Sequence, residues 1–175
     1  MFKKYIVIVV SIVHMGIFGI SSASDLDVGM QAPRFELSDQ TEAVHKLNGY
    51  LGKWVVLYFY PKDDTPGCIK EACAFRDDIA ALHNLGVQVF GVSLDSTNSH
   101  AEFANKYSLQ FPLLADIGGK VANSYGSLTK LGPLKLAKRH TFIIDPEGKL
   151  AKIYRSVKPA THSDEVIAEI KKLQN

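Results

Sequence analysis

Cysteine is nearly absent from this sequence: Cys68 and Cys73 are the only two among 175 residues. Neither lies in the apolar N-terminal stretch, which excludes a lipoprotein anchor there. They are separated by four residues, so the Cys-x-x-Cys spacing of a thioredoxin-type disulfide oxidoreductase is also missing. His45, His83, His100, His140 and His162 show neither H-x-x-x-H nor paired-cysteine spacing. No metal site is therefore expected, and these histidines are expected at the surface or at helix caps. The run Asp116-Ile117-Gly118-Gly119-Lys120 lacks the Walker spacing and reads as a loop. Neither a basic patch nor interleaving of aromatic with basic residues argues for nucleic acid as a partner. Internal repeats, low-complexity tracts and linkers are absent as well.

Lys3 and Lys4 precede an apolar stretch from about Tyr5 to Ile20, and Ser21-Ser22-Ala23-Ser24 follows with small residues suited to a cut after Ala23 or Ser24. This is the pattern of a cleaved secretory signal peptide over residues 1–23. The rival reading is an uncleaved membrane anchor. Ser11, His14, Gly16 and Gly19 interrupt the run, however, and it falls short of the roughly 20 residues a spanning helix needs. Export to the periplasm or the medium is expected, with no stable membrane association after cleavage. Residues 24–175 then form one ordinary domain with enough apolar content for a core. Lys3 and Lys4 leave with the leader, so 18 of the 20 basic residues face 18 acidic ones and the mature charge is near zero. A monomer is the expectation.

Trp54 to Tyr60 is a continuous apolar and aromatic run suited to a central strand buried on both faces. A helix is expected from about Pro66 to Asn84, and Leu85-Gly86 ends it. Val87 to Leu94 reads as a second buried strand. Ser96 or Thr97 caps a helix to about Tyr107, Phe111 to Leu114 is extended, and Val121 to Tyr125 is a helical turn. Thr141 to Ile144 and Leu150 to Tyr154 flank Asp145-Pro146-Glu147-Gly148, a hairpin signal. Val166, Ile167, Ile170 and Leu173 recur at helical spacing between His162 and Leu173. Strands separated by helices and closed by a hairpin and a helix give an α/β layered fold with a mixed sheet.

Both cysteines fall early in the first of these helices, just after the first strand. A thiol in a first helical turn meets the positive end of the macrodipole and unpaired N–H groups, which favour the thiolate, the nucleophilic form. Pro66 and Gly67 suit the strand-to-helix turn, and Thr65 puts a hydroxyl where it can cap the helix or bond the sulfur. A permanent Cys68–Cys73 bridge, the usual reading in an exported chain, conflicts with the helix. Residues five apart on an α-helix have Cα atoms about 8.7 Å apart, whereas a disulfide tolerates at most about 7 Å. The pair is therefore expected to be reduced at rest and bridged transiently.

The segment YPKDDTPGCIKEACAFRD resembles the peroxidatic signature of the peroxiredoxin Q, or bacterioferritin comigratory protein, branch of the peroxiredoxins. The likeness runs from about residue 28 to 172, through GVSLDSTNSHAEFANKYSLQFPLLAD and KRHTFIIDPEGKL, and is weakest across Ser127 to Ala137. It implies a thioredoxin-like fold, a mixed central sheet flanked by helices. It also implies a thiol peroxidase that uses no metal or haem and no other cofactor. By position it implies Cys68 as the peroxidatic cysteine, Cys73 as the resolving cysteine, and Thr65 as a hydrogen-bond partner. Arg139 becomes the cation that stabilises the thiolate, and Pro61 a shield over the pocket. The implied partners are a hydroperoxide, hydrogen or organic, and a dithiol reductant such as a thioredoxin-like protein, which for an exported chain is itself exported or membrane-fed.

That chemistry needs a fixed cation, because attack by sulfur on a peroxide oxygen puts negative charge on the departing oxygen. Arg139 supplies it if the strand running to Ile144 lies beside the Trp54–Tyr60 strand. A Cys–His hydrolase remains open by residue count, but leaves Cys73, Thr65 and Pro61 without a part. A non-catalytic redox sensor or thioredoxin-like binding module using the same pair is the second class, and rate of peroxide turnover separates the two. Asp63 and Asp64 are expected to point outward and cap the turn, since carboxylates beside a thiolate would oppose its charge. Glu71 and Arg76 are expected to pair on the helix surface, and the resemblance implies a share for them in ordering the site.

Overall fold

A computed structural model describes residues 26–175; the expected signal peptide over residues 1–23 lies outside them. In chain order the elements are β1 (Glu36–Ser38), β2 (Val44–Lys46), a 3-10 turn (Leu47–Tyr50), β3 (Trp54–Phe59), α1 (Pro66–Asp77), α2 (Ile79–Asn84) and β4 (Val87–Ser93). Then follow α3 (Thr97–Tyr107), β5 (Leu113–Ala115), α4 (Lys120–Ser124), β6 (Leu128–Leu131), β7 (Leu134–Ala137), β8 (Thr141–Ile144), β9 (Leu150–Tyr154) and α5 (His162–Leu173).

Five strands form the central sheet in the order β5-β4-β3-β8-β9. The pairs β3–β4 and β4–β5 are parallel, and β3–β8 and β8–β9 antiparallel, so the sheet is mixed as the sequence pattern requires. β3 holds the centre because its six residues WVVLYF can be buried on both sides. Val56 and Tyr58 face a cluster that includes Cys68, Phe75, Leu82, Phe103 and Ile170, and Val55, Leu57 and Phe59 face an opposite one built on Phe90, Tyr125 and Phe142. The alternation follows from the strand period of two.

α5 and the β8–β9 hairpin fall where their patterns place them. Ser96 caps α3 by accepting from Ser99 N at 3.3 Å. Three elements differ from expectation. The helix expected to run unbroken to Asn84 divides at Asp78, whose φ of −98° and ψ of 2° leave the α region. Successive aspartates at Asp77 and Asp78 compete for backbone groups and weaken a helix interior. The stretch from Leu128 to Ala137 is a separate antiparallel hairpin, β6–β7. A second small hairpin, β1–β2, precedes the core strand and carries no length of apolar alternation to announce it.

Candidate active site

The parallel step from β3 to β4 leaves the sheet at Phe59, and the chain turns through Tyr60 to Thr65 into α1. Thr65 occupies the N-cap position with extended dihedrals, Pro66 begins the helix, and Cys68 is its third residue. Cys68 is 1% exposed, so its sulfur lies at the helix N-terminus and inside the core at once. Because β8 runs antiparallel to β3, its first residues return beside the end of β3, and Phe59 N bonds His140 O at 2.8 Å. That register brings Arg139 to the turn. Its Nη2 donates to Cys68 Sγ at 3.3 Å.

The other arm of the guanidinium, Nη1, donates to Glu71 in a buried ion pair. Glu71 lies three residues after Cys68, hence on the same helix face, and a single planar fork spans carboxylate and sulfur. Glu71 is fully buried and Oε1 has no hydrogen-bond partner. Burial pushes its carboxyl up to about 7, against the opposing pull of the Arg139 charge and hydrogen bond. The surface pair expected between Glu71 and Arg76 does not form. Arg76 instead bonds Asp77 and the Tyr107 carbonyl, because residue 71 faces the sheet while residue 76 does not.

Gly67 makes the approach possible. A Cβ there would lie 3.1 Å from Arg139 Nη2, so the glycine serves close contact at this position. Tyr58 lies on the same sheet face, stacked on Phe75 with centroids 4.8 Å apart and on Tyr60 at 5.6 Å. Its hydroxyl is buried without a partner. Burial, with the negative charges of Glu71, Cys68 and Asp63, raises its phenol well above the usual range and keeps it neutral.

Asp63 corrects the outward orientation expected of both aspartates. It is 7% exposed and accepts from Tyr60 Oη at 2.7 Å and Ser99 Oγ at 2.7 Å, with His100 Nδ1 at 2.8 Å. Burial works against its ionisation, yet the bonds from His100, Ser99 and Tyr60 prevail and hold the carboxyl below its ordinary value. Its N–H donates to Asp95, which also accepts from Ser93 Oγ. The turn before Cys68 is thus tied to α3 and to the end of β4. Asp64 is the outward member, bonded to Lys106 and Tyr107. His100 and His162 are 0% exposed and His140 is 8% exposed, so three of the histidines expected at the surface or at helix caps are buried. The ring of His140 is pushed down to about 4 by burial and by the nearby Arg155 and Lys138.

Of the residues singled out from sequence, Cys68 and Arg139 meet directly. Thr65 lies three residues before the sulfur, but its hydroxyl donates to the Lys62 carbonyl at 3.0 Å and makes no side-chain cap bond to α1. Pro61 is half-buried immediately after Tyr60. Cys73 is half-buried further along α1, and both thiols are free. Glu71 was given a share in ordering the site only through the resemblance, and Gly67 and the Asp63–His100 pair were not assigned to it from sequence. The i to i+3 spacing of Cys68 and Glu71 was the available signal for the first; long-range pairing decides the others. Among the described residues, no group of three or more His, Cys, Asp or Glu side chains is placed to hold a metal ion.

A buried thiol on a helix N-terminus, touched by a guanidinium above a mixed sheet, defines a cysteine-based oxidoreductase. Residues 28–153 match the AhpC/TSA family. Peroxiredoxin Bcp of Bacillus subtilis is 41% identical over 150 residues, covering 83% of this chain and 96% of that one. The chloroplastic peroxiredoxin Q of Sedum lineare is 41% identical over 147 residues, covering 83% and 78%. Among solved structures, the Xanthomonas campestris bacterioferritin comigratory protein, described for its alkyl peroxide reduction activity, superposes with a TM-score of 0.79 at 30% identity, covering 85% and 100%. The chain belongs to the AhpC/TSA family, in the peroxiredoxin Q and bacterioferritin comigratory branch, and has its thioredoxin-like fold.

Proposed function

We propose that this thiol peroxidase reduces hydrogen peroxide and organic hydroperoxides at Cys68, and that Cys73 resolves the oxidised product. The observation that carries the reading is the 3.3 Å contact between Arg139 Nη2 and Cys68 Sγ at the start of α1. The thiolate attacks the terminal peroxide oxygen, the O–O bond breaks, and the departing oxygen takes a proton and leaves as water or an alcohol. Cys68 becomes a sulfenic acid. Arg139 stabilises the thiolate and then the charge growing on the departing oxygen, and it does so without reorganising because Glu71 holds its other arm. Backbone N–H groups of the first turn, left free by the helix start, add to that field.

Cys73 then attacks the Cys68 sulfur, expels water and forms a disulfide, and an external dithiol returns both thiols by taking up the disulfide in its own oxidation. The Cys73 part is supported by its being the only other thiol in the chain. Thr65 and Pro61 complete the frame: Pro61 narrows access at the end of β3, and Thr65 orders the turn through Lys62. The family relationship and the alkyl peroxide activity described for the X. campestris relative support the substrate class.

Export completes the proposal, resting on the N-terminal pattern alone: cleavage after Ala23 or Ser24, a monomeric mature protein outside the cytoplasm, and a dithiol reductant in that compartment. Peroxide consumption by purified protein with dithiothreitol tests the enzyme against a redox sensor, which would oxidise once without turnover. N-terminal sequencing of cell fractions tests the address; an intact Met1 in the cytoplasm overturns it.

A further inference from the structure

The β6–β7 hairpin stands apart from the chemistry described above. Its rungs are Leu128–Ala137 at the base, then Thr129–Leu136, Lys130–Lys135 and, at the tip, Leu131–Leu134. The base is packed into the core, with Ala137 1% exposed. The tip is the reverse. Leu131 is 64% and Leu134 54% exposed, joined by Gly132 and Pro133. One rung behind the leucines, two exposed lysines face each other, an arrangement unfavourable to the hairpin by itself. No acidic residue occurs between Asp116 and Asp145, whereas that stretch holds Lys120, Lys130, Lys135, Lys138 and Arg139. Among the described residues, Lys130, Lys135 and Lys138 make no ion pair.

We infer that this hairpin is a reversible docking tip for an anionic lipid bilayer. An apolar turn with a cationic collar behind it matches the layering of such a surface. The two leucines enter the boundary between headgroups and acyl chains, and the lysines, about 3.4 Å further back and on long stems, meet the phosphates. The shape favours lipid over a folded partner. The leucines project from a convex turn, and a fluid bilayer admits a wedge without a complementary pocket. A second copy of the chain is disfavoured, since two cationic tips repel. The contact is salt-sensitive and weaker than an anchor, and so differs from stable membrane association. Its consequence for the proposed chemistry is placement: Arg139 lies five positions after Leu134, at most about 18 Å of chain, so docking holds the Cys68 pocket close to peroxidised lipid.

Vesicle flotation tests the surface independently of peroxidase activity. Wild type and variants share one N-terminus, so any contribution of residues 1–25 is common to both. The chain is expected to bind vesicles of phosphatidylcholine with about a third phosphatidylglycerol roughly tenfold better than neutral ones, and to lose that preference in 0.5 M salt. The pairs Leu131→Ser with Leu134→Ser, and Lys130→Glu with Lys135→Glu, should each lower binding at least about tenfold while hydrogen peroxide turnover without vesicles is unchanged. The indole introduced by Leu131→Trp should be quenched by brominated lipid in anionic vesicles. Binding equal in wild type and both variant pairs, an unquenched indole, or capture of an acidic protein without lipid binding would each overturn the assignment.

Discussion

At Cys68 a change of one atom decides activity. Cys68→Ser is expected to abolish peroxide reduction, because it removes the sulfur that Arg139 faces; normal turnover in a dithiothreitol-coupled assay would sink the assignment. Arg139→Ala should slow sulfenic acid formation by about 10²- to 10³-fold, and Arg139→Lys should recover little, because one point charge cannot reach Glu71 and the sulfur together. Gly67→Ala is the subtler probe. Its methyl would lie 3.1 Å from Arg139 Nη2 and displace the guanidinium, so a loss of about tenfold in stopped-flow rate with an unaltered circular dichroism spectrum is expected.

Glu71 gives the residue scale a pH signature. Its folded value, about 7, exceeds the ordinary 4.5, so the folded state binds the extra proton. The stability this provides is fully present below pH 4.5 and is lost as pH rises through 7. His140, held near 4 instead of 6.5, acts oppositely, its contribution being lost as pH falls. The difference between wild type and Glu71→Gln isolates the first effect: urea midpoints should converge in acid and separate above pH 7, and parallel profiles would contradict it.

At the scale of the element, α1 has two incompatible duties. As a helix it offers Cys68 an ordered first turn; as a disulfide it must bring together Cα atoms that the helix holds about 8.7 Å apart, to about 5.5–6 Å. Oxidation should therefore melt the turns between about Gly67 and Arg76. The break at Asp78 separates α2, which begins at Ile79 on its own packing, and so limits the spread. Asp63, tied to His100, Ser99 and Tyr60, limits it on the other side. Hydrogen exchange should quicken across residues 67–76 after oxidation and leave β3 and β4 unchanged. Equal protection in both states would mean that Cys73 is not the resolving partner.

For the molecule as a whole, β3 is the joint between parallel and antiparallel halves of the sheet, and both clusters rest on it. Leu57 is fully buried in one of them. Leu57→Ala should cost roughly 2–5 kcal/mol with an unchanged denaturant slope, as for a cavity in a core that cannot collapse. A loss under about 1 kcal/mol would show that the sheet centre repacks freely.

The sequence alone determined what local pattern can carry. The buried run at Trp54, the proline and glycine entry into α1, the Asp145–Gly148 turn and the α5 stripe are short-range codes, and each places its element in the structure. The position of Cys68 on a helix start belongs with them. Tertiary structure decided which side chains share a space. Arg139 lies 71 residues from Cys68 and reaches it only because β8 pairs antiparallel with β3. Asp63, Glu71 and His100 read as surface groups by type, since charged residues are seldom buried without partners. Apart from Tyr60, which reaches Asp63 within one turn, the partners stand on other elements, and no window along the chain contains them. Whether such a group turns inward depends on what the folded sheet brings opposite it, which a local pattern does not encode.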